Sequence, residues 1–209
     1  KDGAATYNHM QFLVWYDRMF VLGNPPDYMQ PPEKCITALA ATNGVTSEEY
    51  IYDAMLKDDG RMIIFLAMGN YAEGNMVPVE TMLNADNTIL GLGDGGAHYG
   101  MLCDAGYPTH LLTYWGRDAA PDKRMSISKL VQKLSSETAE AVNLHDRGYV
   151  KPGYKGDLNV IDFKNLKLHA PHVVYDLPAK GRRMKQRADG FIATIVAGEV
   201  TYRNGAHTG

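Results

Sequence analysis

Residues 62–70 read Met-Ile-Ile-Phe-Leu-Ala-Met-Gly-Asn, an unbroken apolar run that ends at a glycine and an asparagine. A run of this kind between turn residues is typical of a strand that is buried on both faces. Just upstream, residues 46–49 read Thr-Ser-Glu-Glu and precede apolar residues at helical spacing that continue to Gly60. This pattern predicts a helix with a capped, acidic first turn. We therefore expect a helix followed directly by a buried strand.

A second apolar run, residues 88–93, follows a predicted helix at 79–84. Strand, helix and strand in this order favour two parallel strands joined by a crossover, which is an α/β arrangement. Residues 1–46 contain two proline pairs, and we expect them to form a long loop with one short helix at 34–42. Helices are also predicted at 109–117 and at 126–144, the second one broken at Ser135 and Ser136.

The sequence changes in character near Gly148, where Gly and Pro punctuation and short alternating apolar runs begin. Ala197 and Gly198 are expected to form a hairpin turn between the last two of these runs. The pattern predicts strands at 158–163, 172–175, 191–196 and 199–203. We therefore divide the chain into an α/β part, residues 1–147, and a β-rich part, residues 148–209.

The composition is that of an ordinary globular protein, with 45% hydrophobic and 22% charged residues in a chain of 209. A formal net charge of −3 gives no positive field for binding nucleic acid or an anionic membrane, so neither is expected as a partner. Cys35 and Cys103 lie far apart and outside any CxxC pattern, which favours free thiols in a reducing, cytoplasmic setting. No apolar stretch is long enough for a membrane span, and the first residues lack the apolar segment of a signal peptide.

The segment with the clearest chemistry is residues 90–98, Leu-Gly-Leu-Gly-Asp-Gly-Gly-Ala-His. Asp94 follows a predicted buried strand, at the end where α/β sheets and barrels place their ligands. Gly95 and Gly96 lack a Cβ and allow the backbone to approach a substrate closely. A carboxylate in this position suits a general base that acts on a metal-bound water. The alternative is that Asp94 only caps the following turn.

The same segment also matches the dinucleotide-binding pattern G-x-G-x-x-G through Gly91, Gly93 and Gly96, with Asp118 roughly twenty residues further on. That interpretation requires a complete βαβ unit with the acid at the tip of its second strand. Pro108 lies in the intervening stretch and leaves little room for such a unit. A nucleotide-binding domain and a non-catalytic interaction module therefore remain as alternatives to an enzyme.

Two further groups of residues have competing interpretations. His98 shares a loop with Asp94, so it is either a substrate contact or a loop histidine satisfied by the backbone. The seven histidines contain no H-x-H or H-E-x-x-H pattern for zinc. The basic run at 180–187 is expected to be a solvated surface with local ion pairs rather than a phosphate site; its charged residues are Lys180, Arg182, Arg183, Lys185 and Arg187.

The motif at 90–98 resembles the eighth-strand motif of metal-dependent amidohydrolases. Other segments resemble the N-acyl-D-amino-acid deacylase (D-aminoacylase) family of that superfamily, and together they cover nearly the whole chain. They are residues 22–28 (Leu-Gly-Asn-Pro-Pro-Asp-Tyr), 65–74, 103–109 (Cys-Asp-Ala-Gly-Tyr-Pro-Thr), 153–162 and 176–183.

This resemblance implies the C-terminal part of a (β/α)8 barrel, residues 1–147, followed by a small β-sandwich-like appendage. It also implies a zinc-dependent hydrolase that acts on the amide bond of a small-molecule N-acyl amino acid. By the family pattern, Asp94 deprotonates the zinc-bound water, returns the proton to the departing amine and is also a possible metal ligand. Asn70, His98, Gly95 and Gly96 would lie at the mouth of the barrel and contact the substrate.

The sequence departs from the family in one respect. The paired histidines of the first strand, and the metal-binding cysteine or lysine and histidines of the middle strands, have no counterpart here. A complete barrel needs about 250 residues and eight strand–helix units, whereas this chain has two, near 62–87 and 88–118. We therefore expect a C-terminal piece that binds no zinc and is inactive alone. The exposed edges of the strand at 62–68 would be covered by rearrangement or by another chain, for example in a homo-oligomer.

Overall fold

The apolar run at residues 62–68 does form a strand, β2, which spans Ile64–Leu66. Its partner is β1, Met19–Val21, and the two are antiparallel, with Phe20 opposite Phe65. The described residues give β2 this one partner, and the parallel pairing with residues 88–93 that the sequence analysis predicted is not found among them. Residues 19–22 are apolar and largely buried, so a segment expected to be loop supplies the partner strand instead.

The structure, a computed structural model, describes residues 14–71, 73–91, 98 and 100–209. These residues belong to two compact units, residues 1–85 and residues 86–209. The domain division predicted from the sequence, after residue 147, stays a prediction. In the described parts of both units, every helix falls short of the length and apolarity that a membrane span requires.

The helices of the first unit follow from their local sequence signals. They are α1 (Ile36–Asn43), α2 (Ser47–Gly60) and α3 (Val77–Asn84), which confirms all three predicted helices. At the start of α2, the Glu49 amide donates to the Thr46 hydroxyl at 3.2 Å and the Thr46 amide donates to the Glu49 carboxylate at 2.9 Å. The Thr46 hydroxyl also donates to this carboxylate at 3.0 Å, and the two hydrogen bonds from the Thr46 amide and hydroxyl lower the pKa of Glu49 below its usual value. The predicted cap therefore has the reciprocal geometry of a capping box.

The core of the first unit is an aromatic cluster behind the β1–β2 ribbon. Phe20 is fully buried, and Tyr71 packs edge-on against it with ring centres 5.5 Å apart. Cys35, a free thiol, and Ala67 complete the buried cluster. The β2 residues themselves are only half-buried, because β2 belongs to a two-stranded ribbon rather than to a sheet covered on both faces. The prediction of a doubly buried strand is therefore wrong.

The second predicted strand, residues 88–93, is also not found in the part that the structure describes. Residues 88–91 have no strand pairing, and residues 92 and 93 lie outside the described part of the chain. The backbone carbonyl of Thr88 accepts a hydrogen bond from the Lys133 ammonium at 3.3 Å, which takes the place of a bond to a neighbouring strand. The run is therefore bound by a side chain, and the predicted crossover unit is not formed by these residues.

The second unit begins with helices. The chain forms α4 (Tyr107–His110), which continues as a π-helix over Leu111–Asp118, and then α5 (Ile127–Leu134) and α6 (Ser136–Ala141). Ser135 lies between α5 and α6 with φ −129° and ψ −80°, outside the helical region, so the predicted break is confirmed.

The rest of the second unit is built from antiparallel strands. The strands β3 (Leu158–Ile161), β8 (Phe191–Val196), β9 (Glu199–Arg203) and β10 (Ala206–His207) form a sheet in the order β10-β9-β8-β3. Two ribbons pair β4 (Lys167–Leu168) with β7 (Ala188–Asp189), and β5 (His172–Leu177) with β6 (Gly181–Lys185). Ala197 and Gly198 both have positive φ, as the predicted hairpin turn requires. Within the described residues, these strands do not close into a barrel.

Arg117 joins the helical and β-rich parts of the second unit. Its Nη1 donates to the carbonyls of Phe163 and Leu166, each at 2.9 Å, and to that of Lys164 at 3.3 Å. Its Nε donates to Asp118 Oδ1 at 2.7 Å, and this hydrogen bond raises the pKa of the guanidinium above its usual value. One side chain at the end of the π-helix thus satisfies the carbonyls of the loop that links β3 to β4.

Replacing Arg117 by methionine should lower the free energy of unfolding by about 2 kcal/mol, because it leaves several loop carbonyls without a charged donor. Urea denaturation followed by circular dichroism measures this change. Arg182→Met is the control, since Arg182 is exposed and its side chain has no hydrogen bond or ion pair within the described residues. Equal unfolding midpoints for the two variants would contradict the assigned role of Arg117.

Candidate functional site

The candidate site residues are divided between the two units. Asp94, Gly95 and Gly96 lie outside the described residues, so their predicted roles stay predictions. Asn70 belongs to the first unit and His98 to the second, and each is described within its own unit.

Asn70 lies in a bend that turns the chain after β2, which ends at Leu66. Its φ is 58°, in the left-handed region that asparagine tolerates better than most residues. The side chain is exposed and has no hydrogen bond within the described part of the chain. Ala67 and Tyr71, on either side of the turn, are both 4% exposed. Buried anchors thus hold the turn, while the amide of Asn70 stays accessible to a ligand.

Tyr71 fixes the backbone directly after Asn70 through a buried hydrogen-bond chain. Its hydroxyl donates to the Gln30 carbonyl at 2.6 Å. The Gln30 side-chain amide in turn donates to the carbonyls of Val21 at 2.9 Å and Asp27 at 3.0 Å. Burial raises the pKa of the Tyr71 hydroxyl above its usual value, and the nearby Cys35 and Glu33 add to this shift. The phenol therefore stays protonated and keeps donating through the neutral pH range.

His98 is also in the left-handed region, with φ 52°. Its carbonyl accepts hydrogen bonds from the amides of Met101 at 2.8 Å and Leu102 at 3.0 Å, which makes it the first residue of a turn. The imidazole is exposed and has no hydrogen bond within the described residues. The backbone of His98 therefore holds the turn. Its imidazole is accessible to a ligand, as is the side-chain amide of Asn70.

Lys133 on α5 bears on the candidate segment, and the sequence analysis did not identify it. Its side chain is 5% exposed, and its ammonium lies 3.3 Å from Glu137 Oε2 and 3.3 Å from the Thr88 carbonyl. Thr88 precedes Asp94 by six residues in the sequence. The buried Lys133 ammonium therefore binds the backbone just before the candidate segment. The spacing of Lys133 and Glu137 by four residues is a signal from which this ion pair could have been predicted, but the burial of Lys133 could not.

The described residues do not by themselves form a metal centre. Among them, no three His, Cys, Asp or Glu side chains lie close enough together to hold one ion. Asp94, the residue of this chain that the sequence analysis named as a possible metal ligand, lies outside the described residues.

The dinucleotide-binding alternative is not supported by the position of Asp118. That interpretation places Asp118 at the tip of a second strand, but it is the last residue of the π-helix. Its carboxylate pairs with the neighbouring Arg117, with both oxygens engaged at 2.7 and 3.0 Å. The acid expected to bind a ribose is thus already occupied.

The basic run at 180–187 is a surface strand with one strong ion pair. Arg183 on β6 binds Asp176 on β5 with both carboxylate oxygens, at 2.6 and 2.7 Å. This pairing lowers the pKa of Asp176 below its usual value. The prediction of a solvated surface with local ion pairs is confirmed for Arg183.

Comparison with known protein families identifies one that matches this chain. A family model described as the amidohydrolase family matches residues 28–202, which is most of the chain. No curated protein sequence matches.

Several solved structures resemble this chain at low identity. A D-aminoacylase described by the role of its binuclear metal centre, with one-metal activation and second-metal attenuation, is 20% identical with a TM-score of 0.49. A D-aminoacylase mutant in complex with copper chloride gives the same values. A D-aminoacylase described as defining a novel subset of amidohydrolases is 19% identical with a TM-score of 0.48. Each match covers 92% of this chain but only 36% of the other, so this chain spans about a third of their length.

Replacing Tyr71 by phenylalanine should reduce the loss of stability at alkaline pH. The pKa of Tyr71 is raised from its usual 10.0 in the folded chain, so the unfolded chain loses this proton first. The stabilisation is therefore fully present below pH 10.0 and is lost as the pH rises through the folded pKa.

The measurement is urea denaturation at intervals from neutral to alkaline pH, for the parent chain and for Tyr71→Phe. At neutral pH the variant should be less stable by about 1 kcal/mol, because the buried Gln30 carbonyl loses its donor. The difference should shrink as the pH rises. Tyr52→Phe, at a residue that is 65% exposed, controls for the loss of a hydroxyl. A pH-independent difference would show that Tyr71 does not titrate as described.

Proposed function

Since the chain belongs to the amidohydrolase family, whose model matches residues 28–202, we propose that it takes part in hydrolysis of a non-peptide C–N bond. The matched range includes the segment around Asp94 and most of the other segments that resemble D-aminoacylases. That family match is the observation that carries the proposal. The substrate we propose is a small-molecule N-acyl amino acid.

We propose that residues 1–147 are the late part of an amidohydrolase (β/α)8 barrel and that residues 148–209 are a β-rich appendage. Among the described residues, all strand pairs after residue 157 are antiparallel, and a short 3-10 helix at Pro178–Lys180 is the one helical element there, which supports this division. The chain then contributes one part of the active site, and the rest belongs to residues that this chain does not contain.

Asp94 is the proposed proton-transfer group. Its carboxylate accepts a proton from water, and the resulting hydroxide attacks the acyl carbonyl carbon. The C–N bond then breaks, and the same proton passes to the departing amine, so that one carboxylate acts first as base and then as acid. Zinc is the cofactor we propose for the whole enzyme, and it would supply Lewis acidity. The described residues do not fit a metal centre alone, so its ligands are expected elsewhere.

Asn70 and His98 are proposed as substrate contacts, together with Gly95 and Gly96. The support is that both described residues present an exposed polar side chain from a left-handed backbone position. A polar group held on a rigid turn loses little entropy when it binds a ligand. The neutral amide and the imidazole suit hydrogen bonds to the carboxylate or the acyl oxygen of the substrate.

The test of this proposal is Asp94→Asn in the enzyme that contains this chain, assayed for release of free amine from an N-acetyl-D-amino acid. Turnover should fall by roughly 10²- to 10⁴-fold, because the amide cannot accept the proton. Metal content should not change. Asp86→Asn is the matched control, since Asp86 is an exposed acid that precedes the motif. Full activity in Asp94→Asn would remove the central claim.

The purified 209-residue chain should retain well below one zinc ion per molecule after dialysis. The physical reason is that the histidines that hold zinc in the family's first and middle strands have no counterpart in this sequence. Elemental analysis of zinc against protein concentration measures the ratio. Stoichiometric zinc would mean that this chain builds a complete site of its own.

A further inference from the structure

The second unit contains an open cleft of about 690 Å³ at the β-rich end of the chain. Its walls come from the turn after β3, the loop after β4, the β7–β8 segment and the turn before β10. The sequence analysis interpreted Arg187 as part of a solvated basic surface and assigned no ligand to the cleft, and the proposed deacylase chemistry does not use these residues. The cleft is lined by both acidic and basic groups together with apolar side chains.

Backbone hydrogen bonds hold the walls of the cleft in place. The His169 amide donates to the Arg187 carbonyl at 2.9 Å, and the Asp162 amide donates to the Gly190 carbonyl at 2.8 Å. Gly190 has φ 98°, and a Cβ there would lie 2.7 Å from the Leu166 backbone. Only glycine allows this close approach of two segments. The cleft is therefore built on a fixed framework rather than on loose loops.

Arg187 lines the cleft with an unengaged guanidinium. Its side chain has no hydrogen bond or ion pair to any residue in the described parts of the chain. Arg117 and Arg183, in contrast, each bind a carboxylate through two nitrogens. A guanidinium offers five donors in a planar fork that matches a carboxylate. Arg187 is therefore equipped to bind an anionic group that the described residues do not supply.

Asp189 places an acceptor beside this donor. Its Oδ2 lies 2.7 Å from His169 Nε2, and no hydrogen bond engages its Oδ1 in the described residues. The side chain is 67% exposed. Asp162, the other acid of the lining, has both oxygens engaged by Asn165. Asp189 is thus the acid with capacity for a further donor.

The spacing of the two charged groups fits one small ligand. Arg187 directly precedes β7, and Asp189 is its last residue. Alternate residues of an extended segment point to the same face, and their Cα atoms are separated by roughly 7 Å. A ligand whose positive and negative groups lie about 3 Å apart can reach both side chains through one hydrogen bond at each end. Phe191 and Ile192 add apolar surface to the same cleft.

We propose that this cleft binds a zwitterionic α-amino acid. Its carboxylate binds the Arg187 guanidinium, its ammonium binds Asp189 Oδ1, and its side chain packs against Phe191 and Ile192. A free amino acid is also a product class of the proposed hydrolysis, but the cleft proposal rests on residues 162–205 alone. It stands or falls independently of the activity.

The test is titration of the 209-residue chain, followed by amide chemical shifts of residues that line the cleft. Three probes share one side chain: leucine carries both charges, N-acetylleucine only the carboxylate, and leucinamide only the ammonium. Leucine should bind at least tenfold more tightly than either of the others. Equal binding of N-acetylleucine or of leucinamide would overturn the zwitterion assignment, and so would the absence of saturable shifts with leucine.

Two variants separate the contacts. Arg187→Gln should weaken leucine binding at least tenfold, whereas Arg182→Gln, at an exposed arginine outside the cleft, should not change it. Asp189→Asn should weaken leucine binding but leave that of N-acetylleucine unchanged, since only leucine has an ammonium. Unaltered leucine binding in either cleft variant would refute the proposal. Circular dichroism of each variant establishes that it is folded.

Discussion

The guanidinium of Arg117 is the interaction on which the second unit depends most. A loop that links two strands leaves backbone carbonyls without ladder partners, and leaving such groups buried and unsatisfied is costly. Arg117 satisfies the carbonyls of Phe163, Lys164 and Leu166 from a single side chain, and Leu166, the last of the three, is 1% exposed. The helical segment and the antiparallel strands are therefore packed through a charged donor, and not only through apolar contacts.

In the first unit, uncharged donors satisfy the carbonyls of a loop. Tyr71 donates to the Gln30 carbonyl, and Gln30 donates to two further carbonyls, so the loop before α1 is tied to β1 and to the turn after β2. The side chains of Tyr71 and Gln30 are both hydrogen-bonded, so their burial leaves no side-chain polar group unsatisfied. The backbone that carries Asn70 is therefore anchored by the hydrogen bond of the adjacent Tyr71.

The features that the sequence predicts well are those decided within a few residues. The cap formed by Thr46 and Glu49, the break at Ser135 and the positive-φ turn at Ala197 and Gly198 all depend on local geometry. The strand pairing was not predictable in this way, because the partner of Ile64–Leu66 is fixed by burial of Phe20 against a distant segment. For the same reason Lys133 was not identified: a lysine on a helix looks solvated until its partner, the Thr88 carbonyl, is known. Asp94 remains a prediction from its motif.

Asn70 in the first unit and His98 in the second each combine a left-handed backbone with an exposed polar side chain. A residue in this conformation costs roughly 1 kcal/mol or more unless it is glycine, asparagine or aspartate. Asparagine at position 70 lowers that conformational cost, whereas histidine at position 98 lowers it less. The His98 carbonyl offsets the difference by accepting hydrogen bonds from two backbone amides. Glycine would suit either backbone better, so the backbone does not account for these side chains. We propose that a role as substrate contacts accounts for the amide and the imidazole.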